Sequence, residues 1–191
     1  MLQLKYPLIL ASKSPRRKEL LSNTGLQFSI YTMEVEESFP EQMPVREVAE
    51  FLAKKKGKAY LKEFPDSLII TADTTVVVDN VVLNKPTDYE EARKMILQLK
   101  DRKHEVITGV CITSPSETIS FSESTAVTFG PLSDEEISYY INQYKPFDKA
   151  GAYGIQEWIG LIGIEKIEGS YYNVVGLPVR RIYQYLKNFT S

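Results

Sequence analysis

Hydrophobic and polar positions along this chain fall into two rhythms, short apolar runs of strand length and longer stretches with helical spacing. The run over residues 8–11, Leu-Ile-Leu-Ala, has the length of a buried strand. Ser14 and Pro15 then supply an N-cap and a first helical residue. Residues 11–14 therefore read as a tight strand-to-helix turn, 15–23 as a helix and Gly25 as its C-cap. An extended segment is expected over 27–33, and residues 34–40 form an acidic, turn-rich loop. Helical spacing returns over 44–60, with Val48, Phe51, Leu52 and Ala59 on one side and Lys54, Lys55, Lys56 and Lys58 nearby.

Residues 68–78 are rich in β-branched side chains and read as a strand, joined through the two-residue turn Asp79-Asn80 to a second strand at 81–83. Thr87 and Asp88 cap a helix whose Ala92, Met95, Ile96 and Leu99 share a face. Residues 104–113 and 118–129 pattern as paired strands about Ser114-Pro115-Ser116. Ser133 and Glu136 open a helix with a capping box, running to about residue 143. A glycine-rich loop is expected over 148–163 and a strand over 161–167. A turn at Gly169-Ser170 follows, and a closing helix over 178–188 buries Val179, Ile182, Tyr183 and Leu186. Alternating strands and helices of this kind predict an α/β or α+β protein.

Composition narrows the function classes. The 191 residues suffice for one domain over 1–191, or for two small lobes around a central cleft, with a substantial core. A net charge of −2 provides no global basic field and argues against nucleic acid as the main partner. No apolar run approaches the roughly 20 residues that span a bilayer, so no membrane association is expected. The single cysteine, Cys111, excludes an intramolecular disulfide, suits a reducing compartment and reads as a core residue rather than a nucleophile. The expected location is the cytoplasm. A homodimer stays open.

The chemistry concentrates in a few places. The first helix opens on Arg16, Arg17 and Lys18, the wrong sign for the positive end of a helix dipole by about 0.3–1 kcal/mol per exposed charge. Backbone N–H groups, the hydroxyls of Ser12 and Ser14 and these cations make an anion site suited to phosphate. An ordinary capped surface helix accounts for the same residues equally well. Asp73 lies mid-strand, where a buried carboxylate is costly unless paired, and its rigid placement suits a metal ligand or a general base. The alternative is an outward-facing residue near a strand end.

Lys85 is stiffened by Pro86; Lys56 belongs to a run of cations that, taken alone, reads as a solvated face. Glu36 and Glu37 could hold a hard cation beside Asp73, together with substrate phosphate oxygens. In residues 148–156, glycines permit close backbone approach and Gln156 can read a base edge. Trp158, Tyr171 and Tyr172 read as packing residues. Together these features suggest a phosphate-rich ligand and metal-assisted hydrolysis of a nucleotide or another polyphosphate. No Gly-x4-Gly-Lys-Ser/Thr loop occurs. Spacing alone names neither the base, the bond broken nor the reaction.

Five motifs, in order, resemble the Maf family: Ser12-Lys-Ser-Pro-Arg-Arg17, Ala72-Asp-Thr74, Lys85-Pro86, Asp148-Lys-Ala-Gly-Ala-Tyr-Gly-Ile-Gln156 and Gly169-Ser-Tyr-Tyr-Asn-Val-Val-Gly-Leu-Pro178. The resemblance covers essentially the whole chain. It implies an elongated α/β fold, a mixed β-sheet flanked by helices, related to the inosine triphosphatase group. It also implies a nucleoside triphosphate pyrophosphatase dependent on a divalent cation, Mg²⁺ or Mn²⁺, that sanitises the nucleotide pool. By position, Asp73 matches the proton acceptor, and Arg16, Thr74 and Gln156 match positions linked to substrate choice. Ser12, Arg17, Lys56 and Lys85 match phosphate-binding positions, with Ser14 beside them, and Glu37 matches a metal-site carboxylate next to Asp73.

The ending Ala-Tyr-Gly-Ile-Gln156 resembles the branch acting on dTTP and UTP rather than the sister branch acting on methylated guanosine triphosphate. Three departures stand out: Lys13 where a small residue is common, Lys100-Asp101 in place of Ser-Gly, and Glu157-Trp158 where glycine is frequent. The last could shift base preference. Two rival readings remain: a nucleotide- or nucleic-acid-binding regulator of septum formation, and a phosphatase that removes only the terminal phosphate.

Overall fold

The computed structural model describes residues 2–190. It begins with β1 (Leu8–Leu10), α1 (Pro15–Ser22), β2 (Ser29–Ile30), α2 (Val48–Glu63), β3 (Leu68–Val78) and β4 (Val81–Leu83). Then come α3 (Tyr89–Leu99), β5 (Lys103–Thr113), β6 (Thr118–Phe129) and α4 (Asp134–Tyr144). The chain closes through α5 (Trp158–Gly163), β7 (Ile164–Glu168), α6 (Tyr171–Val175) and α7 (Val179–Leu186). The described strands form one mixed sheet in the order β2-β1-β3-β5-β6-β7, with β4 added to β3. This is the mixed sheet with flanking helices that the family resemblance implies.

β1 runs parallel to both neighbours, pairing Leu8–Leu10 with Leu68–Ile70 of β3 and Ile9 with Ser29 of β2. A strand buried between two others must be apolar on both faces, and Leu8, Ile9 and Leu10 are all buried. β3 turns into β4 through Asp79 and Asn80, both at positive φ (50° and 60°), the geometry of a two-residue hairpin whose twist matches its strands.

The chain divides into two compact units, and β3, β5 and β6 each contribute residues to both. The first comprises residues 1–73, 108–123 and 176–191. Its core gathers Leu10, Leu21, Ile70, Ile112, Leu177 and Leu186. Within it α2 lies so close to β5 that a Cβ on Gly109 would fall 2.2 Å from the Ala49 carbonyl carbon and the Glu50 nitrogen. The second unit comprises residues 74–107 and 124–175. Its core includes Val76, Ile96, Phe129, Ile137 and Tyr140.

Several expectations need correction. The strand expected over 161–167 begins only at Ile164, because residues 158–163 form α5 within the segment expected to be a loop. Its alternating apolar pattern mimics a strand, yet the glycines serve a tight helical turn. A Cβ on Gly160 would lie 1.8 Å from the Ile155 carbonyl oxygen, and one on Gly163 would lie 3.1 Å from the Phe129 ring. α2 starts at Val48 rather than at residue 44 and continues to Glu63, while the extended segment of 27–33 pairs only at Ser29–Ile30. Tyr171 and Tyr172 are exposed on α6 and touch each other edge-on, so they are not core packing residues. Trp158 does pack, half-buried, against Tyr139.

Candidate active site

The first unit assembles most of the polar side chains singled out in the sequence. β1 ends at Leu10 and the Ala11 N–H bonds the Ile70 carbonyl, after which the chain turns away into α1 while β3 continues to Asp73. Asp73 thus follows the last parallel pairing, at the carboxyl end of β1, where open α/β sheets place their ligands. Ser14 caps α1, its hydroxyl accepting from the Arg17 N–H at 3.5 Å, and its own N–H donates to Ser12 Oγ at 3.2 Å. Both serine hydroxyls therefore shape the turn that leads into the cationic first helical turn. No acidic residue occupies that turn.

Arg17 has a more specific task than the sequence suggests. Its Nε donates to the Gly176 carbonyl and an Nη to the Ala72 carbonyl, both at 2.8 Å. The guanidinium fork so ties α1 to the backbone residue just before Asp73 and to the start of the final segment. Burial lowers its pKa from the ordinary arginine value, against the raising influence of the Asp73 carboxylate.

Lys56, on α2, is not part of a solvated face. Its Nζ lies 2.6 Å from Asp73 Oδ1 and 2.6 Å from Glu37 Oε1. The Lys56 and Asp73 side chains are 14% and 13% exposed, and Glu37 closes the group from outside at 47%. Neighbouring cations hold the rest of the acidic loop: Lys55 reaches Glu36 and the hydroxyl and carbonyl of Ser38, and Lys13 reaches Glu34. Glu36 is thereby directed to Lys55, and Glu37 is the loop carboxylate that joins Asp73.

Among the described residues no group of three or more His, Cys, Asp or Glu side chains forms a metal cluster. Asp73 and Glu37 nevertheless present carboxylate oxygens to one cationic atom. Two convergent carboxylates are what a Mg²⁺-type ion uses when substrate phosphates and water complete its shell. The donor set fits such an ion.

The second unit carries the remaining candidates. Thr74 is half-buried on β3, while Lys85 and Gln156 are exposed. Gly151, at φ 67°, packs so closely that a Cβ would sit 2.9 Å from Val76 Cγ2, and its N–H bonds the Asn84 carbonyl beside Lys85. Gln156 sits in a turn closed by the Glu157 N–H on the Gly154 carbonyl.

Sequence reasoning missed what surrounds that turn. Lys149 is buried, with its Nζ 2.7 Å from Asp148 Oδ1 and 3.1 Å from Glu157 Oε1. Tyr140 donates a hydrogen bond to Glu157 Oε2 and accepts one from the Gly154 N–H. Burial, then the Glu157 carboxylate, pushes the Tyr140 pKa well above the usual tyrosine range. Asn173 is buried and donates to the Val106 carbonyl and Thr125 Oγ1. The available signal was a lysine set between an aspartate and a run of small residues, a poor place for a solvated side chain. Cys111 is buried, and burial pushes its thiol up to about 11, as expected for a core residue rather than a nucleophile. No helix among the described residues is long and apolar enough to cross a membrane.

A family model described as Maf-like protein matches residues 7–189. Curated relatives named dTTP/UTP pyrophosphatase include one from Phocaeicola vulgatus, 54% identical over 96% of this chain and 96% of its own length. Another, from Porphyromonas gingivalis, is 51% identical over 97% and 95%, and one from Flavobacterium psychrophilum is 50% identical over 96% and 94%. Among solved structures, the Staphylococcus aureus Ham1 protein aligns with a TM-score of 0.58 at 15% identity, covering 95% of this chain and 98% of that one. At that identity the likeness concerns the fold alone.

Proposed function

This chain belongs to the Maf family, and on that premise we propose that it hydrolyses dTTP and UTP to the monophosphate and pyrophosphate, in a cytoplasmic role of clearing the nucleotide pool. The names of its relatives support the substrate class. The observation that carries the chemistry is the group Asp73–Lys56–Glu37, two carboxylates converging on one ammonium midway along β3, just beyond the end of β1.

In this reading water attacks the α-phosphorus, the Pα–O bond to the β-phosphate breaks, and the water's proton passes to the Asp73 carboxylate. Asp73 suits this role because β3 fixes its backbone and the Arg17 fork fixes the residue before it. Lys56 holds the carboxylate in place and, with Arg16, supplies positive charge toward the triphosphate as the pyrophosphate departs. Asp73 and Glu37 are the residues that would hold the divalent cation, which when bound neutralises phosphate charge and makes phosphorus more electrophilic. Ser12 and Ser14 shape the phosphate-facing turn, and Thr74 and Gln156 contribute to base choice.

Product analysis tests the reading. Incubation with dTTP, UTP, the other canonical triphosphates and 7-methyl-GTP, with Mg²⁺ or Mn²⁺, is expected to release monophosphate and pyrophosphate from dTTP and UTP. Diphosphate plus orthophosphate would establish the terminal phosphatase instead. Absence of turnover on every nucleotide would leave the binding-regulator reading.

A further inference from the structure

The Gln156 side chain is exposed and makes no hydrogen bond within the described residues, so its aim is set by the backbone on either side of it. Both flanks are tied down. On the N-terminal side, the Gly154 N–H donates to the Tyr140 hydroxyl at 3.0 Å. On the C-terminal side, the Glu157 carboxylate accepts from that same hydroxyl through one oxygen and meets the buried Lys149 ammonium, 3.1 Å away, through the other. Lys149 in turn is held by Asp148 at 2.7 Å.

The segment from 149 to 157 is thus closed on itself by the Lys149–Glu157 ion pair, and one phenol on α4 joins Gly154 to Glu157 on either side of Gln156. The glycine between these anchors completes the arrangement. A Cβ on Gly154 would lie 2.8 Å from Glu157 Cδ and 3.1 Å from Gln156 Nε2, so the missing methyl leaves the room that both side chains use. A charge buried with two partners is expensive to leave half-paired, which makes this closure rigid rather than incidental.

We propose that Glu157, clamped by Lys149 and Tyr140, is a positioning residue for base selection, holding Gln156 in the orientation that reads the pyrimidine. The inference rests on the reading of Gln156 given above. It assigns a purpose to the Glu157 carboxylate, whose two oxygens meet Tyr140 and Lys149.

Glu157→Gln keeps the shape and the bond to Tyr140 but removes the ion pair. Steady-state kinetics on dTTP, UTP, dCTP and GTP are expected to show KM for dTTP and UTP raised about tenfold, with kcat falling less and the preference over dCTP narrowed by a similar factor. Lys149→Met reproduces the loss and Lys149→Arg, which preserves the pair, restores the preference. In a Gln156→Ala background Glu157→Gln adds nothing, because it acts through the missing amide. If Glu157→Gln does not fold, Tyr140→Phe removes a single hydroxyl and is expected to shift preference in the same direction.

An unchanged dTTP-to-dCTP preference in an active, folded variant would overturn the inference, as would additivity with Gln156→Ala. A wild-type protein that turns over neither dTTP nor UTP overturns the underlying reading instead, and the inference with it.

Discussion

At the scale of single residues, the group around Lys56 explains why carboxylates and cations had to be placed together. Asp73 is nearly buried, and the 2.6 Å contact to Lys56 offsets the cost of desolvating its charge. Asp73→Asn keeps size and shape while removing the proton acceptor. Turnover of dTTP is expected to fall by about 10²–10⁴-fold with the thermal melt little changed; undiminished turnover would take Asp73 out of the mechanism. Arg17 makes a different prediction. A lysine carries one point-like ammonium and cannot serve the Ala72 and Gly176 carbonyls together as the guanidinium does. Arg17→Lys is therefore expected to cost about 1–3 kcal/mol in a urea melt and to lower kcat as well, because the backbone before Asp73 loosens. A variant with unaltered stability would show that the fork anchors nothing.

At the scale of elements, the decisive contact is α2 on β5. A helix can present Lys56 to Asp73 only if it packs at backbone contact distance, and Gly109 grants that distance. Its absent Cβ would otherwise sit 2.2 Å from the Ala49 carbonyl carbon and the Glu50 nitrogen. On the same helix Glu50 bonds Lys54, Ser120 and Ser122. Burial raises the pKa of Glu50, but these partners more than offset it, so the net shift is downward. Gly109→Ala is expected to force α2 outward, with a loss of about 3 kcal/mol, read as a lowered denaturation midpoint and, in whatever remains folded, weaker hydrolysis. Wild-type stability in that variant would contradict the packing described. At residues 158–163 a strand-like pattern of apolar residues folds as a helix because the contacts that require Gly160 and Gly163 come from Ile155 and Phe129, which the local pattern does not show.

For the whole molecule, the most informative titratable group is His104. It is buried on β5, stacks on Phe129, bonds the Tyr153 hydroxyl through Nε2 and leaves Nδ1 without a partner. Burial pushes its pKa down from 6.5 to about 4. Between these values the unfolded chain binds a proton that the folded chain refuses, so stability rises with pH across this window and falls on acidification from about 6.5 to 4. The full effect is about 3 kcal/mol. Urea melts at pH 7 and pH 4.5 should separate accordingly, and His104→Gln should flatten the difference. An equal slope in the variant would assign the acid sensitivity to other groups.

The sequence by itself determined the order of strands and helices from β1 to α4, though not α5 or α6, together with the caps at Ser14, Asp88 and Ser133, the hairpin at Asp79-Asn80 and the identity of the motif residues. Each of these depends on neighbours a few positions away: a hydroxyl reaching the third amide, a positive φ, a repeat of apolar side chains. Only the tertiary structure decided that Lys56 joins Asp73 to Glu37 instead of facing solvent, that Arg17 spends two donors on backbone carbonyls, and that Lys149 and Glu157 close the Gln156 turn. A charged side chain in a sequence carries no mark of what it will meet. Its partner is chosen by packing, from segments far apart along the chain, because burying the charge alone would cost more than the fold can supply.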